Sequence, residues 1–224
     1  MRGVCEFGAF DPAHSNKPRA SLNQELMQQP LPLVSIAEAT HDVLIDLIYA
    51  SANNFTGQVI YEHPLCFLHP QAEAGLRRAV VAAREMGLKL KVLDAFRPQE
   101  AQEALWAVAP LPGYVADPKK GSNHTRGVAI DLTLVGADGK ELDMGTPVDT
   151  MTDASHHFHA GHGAAVQINR ARLLAIMLEA GFVYYTQEWW HYQLPDAHEF
   201  PLIDSHTFMH CVVHGTAGQV TLLA

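Results

Sequence analysis

The sequence predicts a single α+β domain in which a central antiparallel sheet is backed by helices. Two stretches, residues 71–86 and 167–180, have apolar residues at helical spacing, and each is followed by a glycine that can end a helix. Short strand-like stretches accompany them but do not alternate with helices one for one, as a parallel α/β fold requires. The 224 residues are enough for one substantial core.

Composition and charge limit the classes of partner. Fifteen basic against 24 acidic residues give a net charge of −9 with neutral histidines, which argues against nucleic acid. No run of about 18 apolar residues is present, so we expect no membrane span. The N-terminus lacks the apolar core of a secretory signal. The three widely spaced cysteines predict neither a disulfide framework nor a cysteine-rich zinc cluster. We therefore expect a cytoplasmic protein.

The chain divides into three predicted parts. Residues 1–32 mix Pro, Asn, Gln and Ser with few periodic apolar positions, which predicts a loosely packed N-terminal extension. Residues 33–205 form the predicted domain, and residues 206–224 a C-terminal tail. Within the domain, residues 34–50 combine helix and strand patterns, and residues 53–57 predict a turn.

The first half of the domain leads to a candidate functional arginine. The helix at residues 71–86 ends at Gly87, and residues 88–94 then alternate as an edge-like strand. Pro98 suits the first turn of a further helix that continues from residue 99 to 108. Arg97 is therefore expected at a strand-to-helix junction, where functional side chains are common.

The second half of the domain contains a strand, a helix and a hairpin. Residues 128–134 alternate as a half-buried strand, and Asp138-Gly139 predicts a tight turn after it. Residues 182–185 and 189–194 predict two strands of a hairpin. The helix at residues 167–180 is expected to bury Ile168, Leu173, Leu174, Met177 and Leu178.

Two histidines and an aspartate form a candidate metal site. His124, Asp131 and His191 offer the donors that a catalytic zinc typically takes, with a fourth position left to water. His124 and Asp131 are too far apart for adjacent helical turns and an odd number apart on a strand, so an irregularity must intervene. Gly127 is its expected place because glycine adopts positive φ without steric cost. We expect one zinc ion per chain, although the donor set does not exclude other divalent ions.

A glutamate beside this site indicates the reaction type. Glu188 lies three residues before His191, and a carboxylate near the metal but not bound to it is the usual general base in zinc hydrolysis. Trp189 and Trp190 are expected to pack around the site and exclude water. The pattern predicts metal-assisted hydrolysis. A second histidine-rich stretch, residues 156–162, is expected to be a solvated loop without a function of its own.

These motifs resemble those of the VanX-type D-alanyl-D-alanine dipeptidases, part of a wider group of D,D-peptidases with a His-x6-Asp…His metal set. The matching segments, which span roughly residues 45 to 200, are NFTG at 54–57, DAFRP at 94–98, SNHTRGVAIDLTL at 122–134, DMG at 143–145 and EWWH at 188–191. The resemblance implies the fold of D,D-peptidases and hedgehog domains, a zinc cofactor, and hydrolysis of D-alanyl-D-alanine, a peptidoglycan precursor.

The resemblance also implies roles for individual residues. Arg97 would stabilise the transition state and Glu188 would act as base. The residues that would grip the dipeptide are Ser122, Tyr49, Tyr61 and Asp149. A free dipeptide is a zwitterion, so Asp149 with Tyr49 suits its ammonium, whereas Ser122 and Tyr61 suit its carboxylate.

Several alternatives stay open at this point. Arg97 could be a structural partner of Asp94, the two tyrosines could belong to the core, and Asp149 could cap a turn. The protein could also be a related D,D-carboxypeptidase or endopeptidase acting on longer peptidoglycan peptides, or a non-catalytic zinc-binding module. The expected partner is a small dipeptide, with no nucleic acid and no membrane, and a homo-oligomer is left open.

Overall fold

The computed structural model describes residues 33–206 and 208. The predicted extension, residues 1–32, lies outside the described residues, as does the predicted tail apart from His206 and Phe208. Phe208 is buried edge-on against Phe67 and Phe96, with ring centroids 5.0 and 5.3 Å apart. The first residues of the tail therefore pack onto the domain.

A five-stranded sheet forms the centre of the domain. The strands are β1 (Val34–Ser35), β2 (Leu44–Ile45), β3 (Phe67–Leu68), β4 (Lys89–Asp94), β5 (Ala129–Val135), β6 (Val183–Tyr184) and β7 (His191–Gln193). The central sheet has the order β2-β4-β5-β7-β6, and β1 pairs with β3 separately. All neighbours in the central sheet are antiparallel except β2 and β4. The α+β class is confirmed, with a mixed sheet in place of a wholly antiparallel one.

Four helices accompany the sheet in the described part of the chain. They are α1 (Glu38–His41), α2 (Pro70–Glu85), α3 (Gln99–Val108) and α4 (Ala164–Glu179). The predicted helix at 71–86 corresponds to α2, which begins with proline in its first turn and is followed by Gly87 at φ +68°. None of these helices is long and apolar enough to cross a membrane.

Two of the five residues of α4 that the sequence predicts to be buried are exposed. Leu173 and Met177 are buried as expected, but Ile168 and Leu178 are 51% and 46% exposed. The inward face instead includes the buried Arg170, whose three guanidinium nitrogens donate to the carbonyls of Met144, Ala154 and His156 at 2.7–2.9 Å. Apolar residues lie on both faces of α4, so the spacing that predicts the helix does not fix which face turns inward. The hydrogen bonds of Arg170 indicate that face.

Two strands lie deeper than predicted. The stretch predicted as an edge strand, β4, lies between β2 and β5. Its neighbour β2 has only two residues, too few to show a strand pattern, so the sequence does not reveal this neighbour. Every residue of β5 is buried, including Asp131 and Thr133. Asp131 and Thr133 each line a different cavity.

Candidate metal centre and active site

A turn ending at Gly127 precedes β5 and carries His124. The Gly127 amide donates to the His124 carbonyl at 2.9 Å, and Gly127 has φ +70°. A Cβ at this position would lie 2.5 Å from Leu33 Cδ2 and 3.2 Å from the His69 backbone nitrogen. The predicted irregularity is confirmed, since both the backbone conformation and the close packing favour glycine here.

The sheet register brings the predicted ligands together. Asp131 on β5 pairs directly with His191 on β7, and on its other side with Asp94 at the end of β4. Side chains of directly opposed residues lie on the same face of a sheet. His124 reaches the same place from the preceding turn.

The three donor groups have the spacing of a metal site. Asp131 Oδ1 lies 3.0 Å from His191 Nδ1 and 3.4 Å from His124 Nε2, and the two ring nitrogens are 3.2 Å apart. Zinc bonds of about 2.1 Å at tetrahedral angles place donors roughly 3.4 Å apart. Among the described residues, this is the one group of histidine, cysteine and carboxylate donors close enough to hold an ion. The donor set therefore fits a divalent metal such as zinc.

The ligand side chains are held by buried surroundings. His124 Nδ1 donates to the Ala95 carbonyl at 2.7 Å, which leaves Nε2 facing Asp131 and His191. Burial alone would raise the pKa of Asp131, but the two neighbouring imidazoles, His124 foremost, hold it well below its usual range. The aspartate is therefore an anionic donor.

Glu188 lies beside the donors and not among them. Its Oε2 is 3.9 Å from His191 Nδ1, and the side chain is buried. Burial raises the pKa of Glu188 to about 8; the positive charge of His191 opposes this shift, and the negative charges of Asp131 and Asp149 add to it. Burial therefore makes this carboxyl group a stronger proton acceptor than an exposed glutamate.

Arg97 approaches the donors from the junction of β4 and α3. Its Nη2 lies 3.8 Å from Asp131 Oδ2, and its guanidinium carbon lies 5.1 Å from the centre of the Tyr49 ring. Nε and Nη2 donate to Asp94 Oδ2, and Nη1 donates to Gln102 Oε1 at 2.9 Å. Asp94 and Gln102 thus orient the guanidinium from two sides. Arg97 is both a partner of Asp94 and a residue of the candidate site.

A cavity of about 230 Å³ lies in front of these groups. Its lining includes Tyr49, Ser122 and Asp149 together with the three donors, Glu188 and Arg97. Tyr49 donates to Asp149 Oδ2 at 2.6 Å, and burial raises the pKa of Asp149 to about 6, partly offset by this hydrogen bond. Asp149 also has φ +59°, a conformation that is unusual outside glycine.

Tyr61 has a different position. Tyr61 does not belong to the described residues that line the cavity. Its hydroxyl donates to Asp94, behind the Arg97 guanidinium.

Trp189 and Trp190 are buried in edge-to-face contact, with ring centroids 5.5 Å apart. Trp190 lines the site cavity, as predicted, whereas Trp189 donates through its ring nitrogen to Thr146 and lines a neighbouring cavity.

The second histidine-rich stretch is less exposed than predicted. His157 is 8% exposed and packs against the rings of Tyr184 and Tyr192. His156 Nε2 lies 3.3 Å from the hydroxyl of Tyr114, a cavity residue. In the described part of the chain, these histidines do not belong to a group of three or more donors that could hold a metal ion.

Sequence reasoning missed several cavity residues. They are Phe55, Tyr114, Asn123, Met151, Tyr185 and Gln193. Gln193 could have been found, because it lies two residues after His191 on a strand and side chains two apart share a face. Tyr114 lies in a loop, and no local sequence pattern predicts where that loop packs.

Comparison with known proteins identifies clear relatives. Residues 29–213 match the family model described as D-ala-D-ala dipeptidase. The chain is 45% identical over 177 residues to the D-alanyl-D-alanine dipeptidase of Escherichia coli (strain K12), covering 79% of this chain and 92% of that protein. It is 36% identical to the D-alanyl-D-alanine dipeptidase of Enterococcus faecalis (strain ATCC 700802 / V583), covering 71% and 89%. It is 31% identical to that of Streptomyces coelicolor (strain ATCC BAA-471 / A3(2) / M145), covering 75% and 96%.

Proposed function

The chain belongs to the D-Ala-D-Ala dipeptidase family of peptidases, and from this premise we propose that it hydrolyses free D-alanyl-D-alanine to two D-alanines with one zinc ion. The observation that carries the proposal is the convergence of three metal donors, Glu188 and Arg97 on one small cavity. His124, Asp131 and His191 would hold the ion. The chemistry that a bound zinc supplies is Lewis acidity, which polarises a carbonyl oxygen and makes water more acidic.

Glu188 is the proposed general base. It takes a proton from the water whose oxygen attacks the peptide carbonyl carbon, and it delivers that proton to the amine nitrogen as the C–N bond breaks. Its burial and its position beside His191 support this role, since a proton carrier must lie within reach of the reacting groups.

Arg97 is the proposed oxyanion stabiliser. Its guanidinium is fully charged, and its orientation by Asp94 and Gln102 means that little rearrangement is needed as negative charge develops on the carbonyl oxygen. Removing such a donor typically lowers the rate by on the order of 10²–10³.

The cavity provides complementary ends for a zwitterion. Asp149 and Tyr49 form the acceptor side that suits the substrate ammonium. Ser122 supplies a hydroxyl that suits the carboxylate; its Oγ already accepts a hydrogen bond from the His124 amide. For Tyr61 we propose a supporting role, because its hydroxyl donates to Asp94 and so helps to hold Arg97.

The test is a substrate panel assayed with zinc and with a chelator. We expect rapid hydrolysis of D-alanyl-D-alanine, slow hydrolysis of L-dipeptides and of acylated D-alanyl-D-alanine, and loss of activity with chelator. Glu188→Ala should remove activity while zinc content stays at one per chain, and Arg97→Ala should lower kcat with zinc content unchanged. Equal rates on the acylated substrate would favour a carboxypeptidase, and undiminished hydrolysis by Glu188→Ala would refute the mechanism.

A further inference from the structure

A side chain outside the ligand set contacts the far nitrogen of one ligand. Gln193 Oε1 lies 3.1 Å from His191 Nε2, on the side of the ring away from the donor group. The near nitrogen, Nδ1, lies between Asp131 Oδ1 at 3.0 Å and His124 Nε2 at 3.2 Å. The imidazole therefore has one nitrogen at the proposed metal site and one on an amide oxygen.

This contact favours the tautomer that the proposed metal site requires. A neutral imidazole has one N–H donor and one lone pair, and a metal ligand must present the lone pair. The amide oxygen of Gln193 can only accept, so it favours hydrogen on Nε2 and a lone pair on Nδ1. The same acceptor also restricts rotation of the ring.

Gln193 is itself held by the segment that carries the other histidine. Asn123 Nδ2 donates to Gln193 Oε1 at 2.8 Å, and Asn123 immediately precedes His124. Because the Asn123 donor occupies one lone pair of this oxygen, the amide is oriented with the oxygen toward His191. A chain of hydrogen bonds thus connects the two ligand-bearing segments, Asn123 to Gln193 to His191.

We propose that Gln193 is a positioning residue that presents the Nδ1 lone pair of His191 to the metal, with Asn123 holding the Gln193 amide in place. The inference rests on the proposed zinc site and assigns it an outer hydrogen-bonding pair. Outer partners of metal-bound histidines typically change metal affinity by about 10–100-fold when they are removed.

The experiment measures zinc affinity of the metal-free protein by competition with a chromophoric chelator at one pH, without any activity assay. Gln193→Met keeps the side-chain length but removes the acceptor, and we expect about 10–100-fold weaker zinc binding. Gln193→Glu restores an acceptor and should bind zinc nearly as tightly as the wild type. The matched control is Gln187→Met, because Gln187 accepts from the Tyr185 hydroxyl and not from an imidazole; its affinity should not change.

Two further measurements separate positioning from a general loss of structure. The unfolding temperature of the metal-free variants should match that of the metal-free wild type. In zinc-loaded wild type, long-range ¹H–¹⁵N spectra should show His191 protonated at Nε2.

A double variant tests whether Asn123 acts through Gln193. On its own, Asn123→Ala should weaken zinc binding. In the Gln193→Met background it should add little, because both residues act through one contact.

Specific outcomes would overturn the inference. Zinc affinity of Gln193→Met equal to the wild type would do so, as would equal losses in Gln193→Met and Gln193→Glu, or a His191 ring protonated at Nδ1. A wild-type protein that binds no zinc would refute the metal site itself. A wild type that binds zinc but does not cleave the dipeptide would refute the proposed reaction and leave this inference standing.

Discussion

Asp94 Oδ2 accepts two hydrogen bonds from Arg97, from Nε at 2.9 Å and from Nη2 at 2.7 Å. The other oxygen of the carboxylate accepts from the Tyr61 hydroxyl and from the Ala95 amide. Asp94 has no exposed surface, so water cannot replace any of these partners. The proposed oxyanion stabiliser therefore depends on a buried ion pair, and breaking such a pair leaves a charge without compensation.

Replacing Asp94 should affect both stability and turnover. Asp94→Asn removes the negative charge while keeping the shape, so we expect the free energy of unfolding to fall by on the order of 3 kcal/mol. We also expect kcat to fall more strongly than KM rises, because Arg97 loses its orientation. Urea unfolding and steady-state kinetics measure the two effects. The control is Asp138→Asn in the exposed hairpin turn, which should change neither; an unchanged kcat in Asp94→Asn would contradict the link to Arg97.

Metal binding should stabilise the folded protein. The ligand donors converge only in the folded sheet, so zinc at about 100 times its Kd should add roughly 2.7 kcal/mol to the free energy of unfolding. A chelator should lower the unfolding temperature of the wild type but leave that of Asp131→Asn almost unchanged. Differential scanning calorimetry checks this expectation. Equal chelator effects on both proteins would place the stabilising ion elsewhere.

Stability should fall in mild acid because of His157. Burial, with a smaller contribution from the charge of Arg170, lowers the pKa of His157 to about 4, and in the described structure neither ring nitrogen has a hydrogen-bond partner. In the unfolded chain the pKa is about 6.5. As the pH falls from about 6.5 toward 4, the unfolded state takes up a proton that the folded state does not, so stability decreases.

His157→Leu should remove this component of the acid sensitivity. Urea unfolding of the metal-free proteins at pH 7 and pH 4.5 should show a loss smaller by roughly 2–3 kcal/mol in the variant than in the wild type. The exposed His198 provides the control, since His198→Asn should follow the wild type. If His157→Leu loses as much stability between pH 7 and pH 4.5 as the wild type does, the acid sensitivity belongs to other groups.

Gly75 should resist replacement although it lies within α2. Alanine is normally preferred over glycine inside a helix by about 1 kcal/mol. Here, however, a Cβ would lie 2.6 Å and 2.9 Å from ring carbons of Phe182, and overpacking of a core typically costs about 1–3 kcal/mol. We expect Gly75→Ala to be destabilising in urea unfolding. In the Phe182→Leu background, the same substitution should become stabilising; destabilisation there too would show that the ring contact is not the cause.

Local sequence patterns were enough for most of the elements and for the choice of candidate metal donors. The spacing of apolar residues and the glycines that follow them predicted α2 and the position of α4. Gly127 was correctly expected at the bend between His124 and Asp131, because positive φ is a property of a single residue. The donor types indicated a metal before any geometry was known, since imidazole and carboxylate chemistry does not depend on the fold.

The tertiary structure decided the relationships between distant segments. Only the register of β5 with β7 places Asp131 opposite His191, and only the folded chain brings Tyr61 to Asp94 and Gln193 to Asn123. The inward face of α4 was predicted only in part, because its buried Arg170 finds its partners in a distant loop, to which it donates at the Met144 carbonyl. Such contacts depend on packing between segments, which apolar periodicity does not report, whereas local conformation and donor chemistry are properties of the residues themselves.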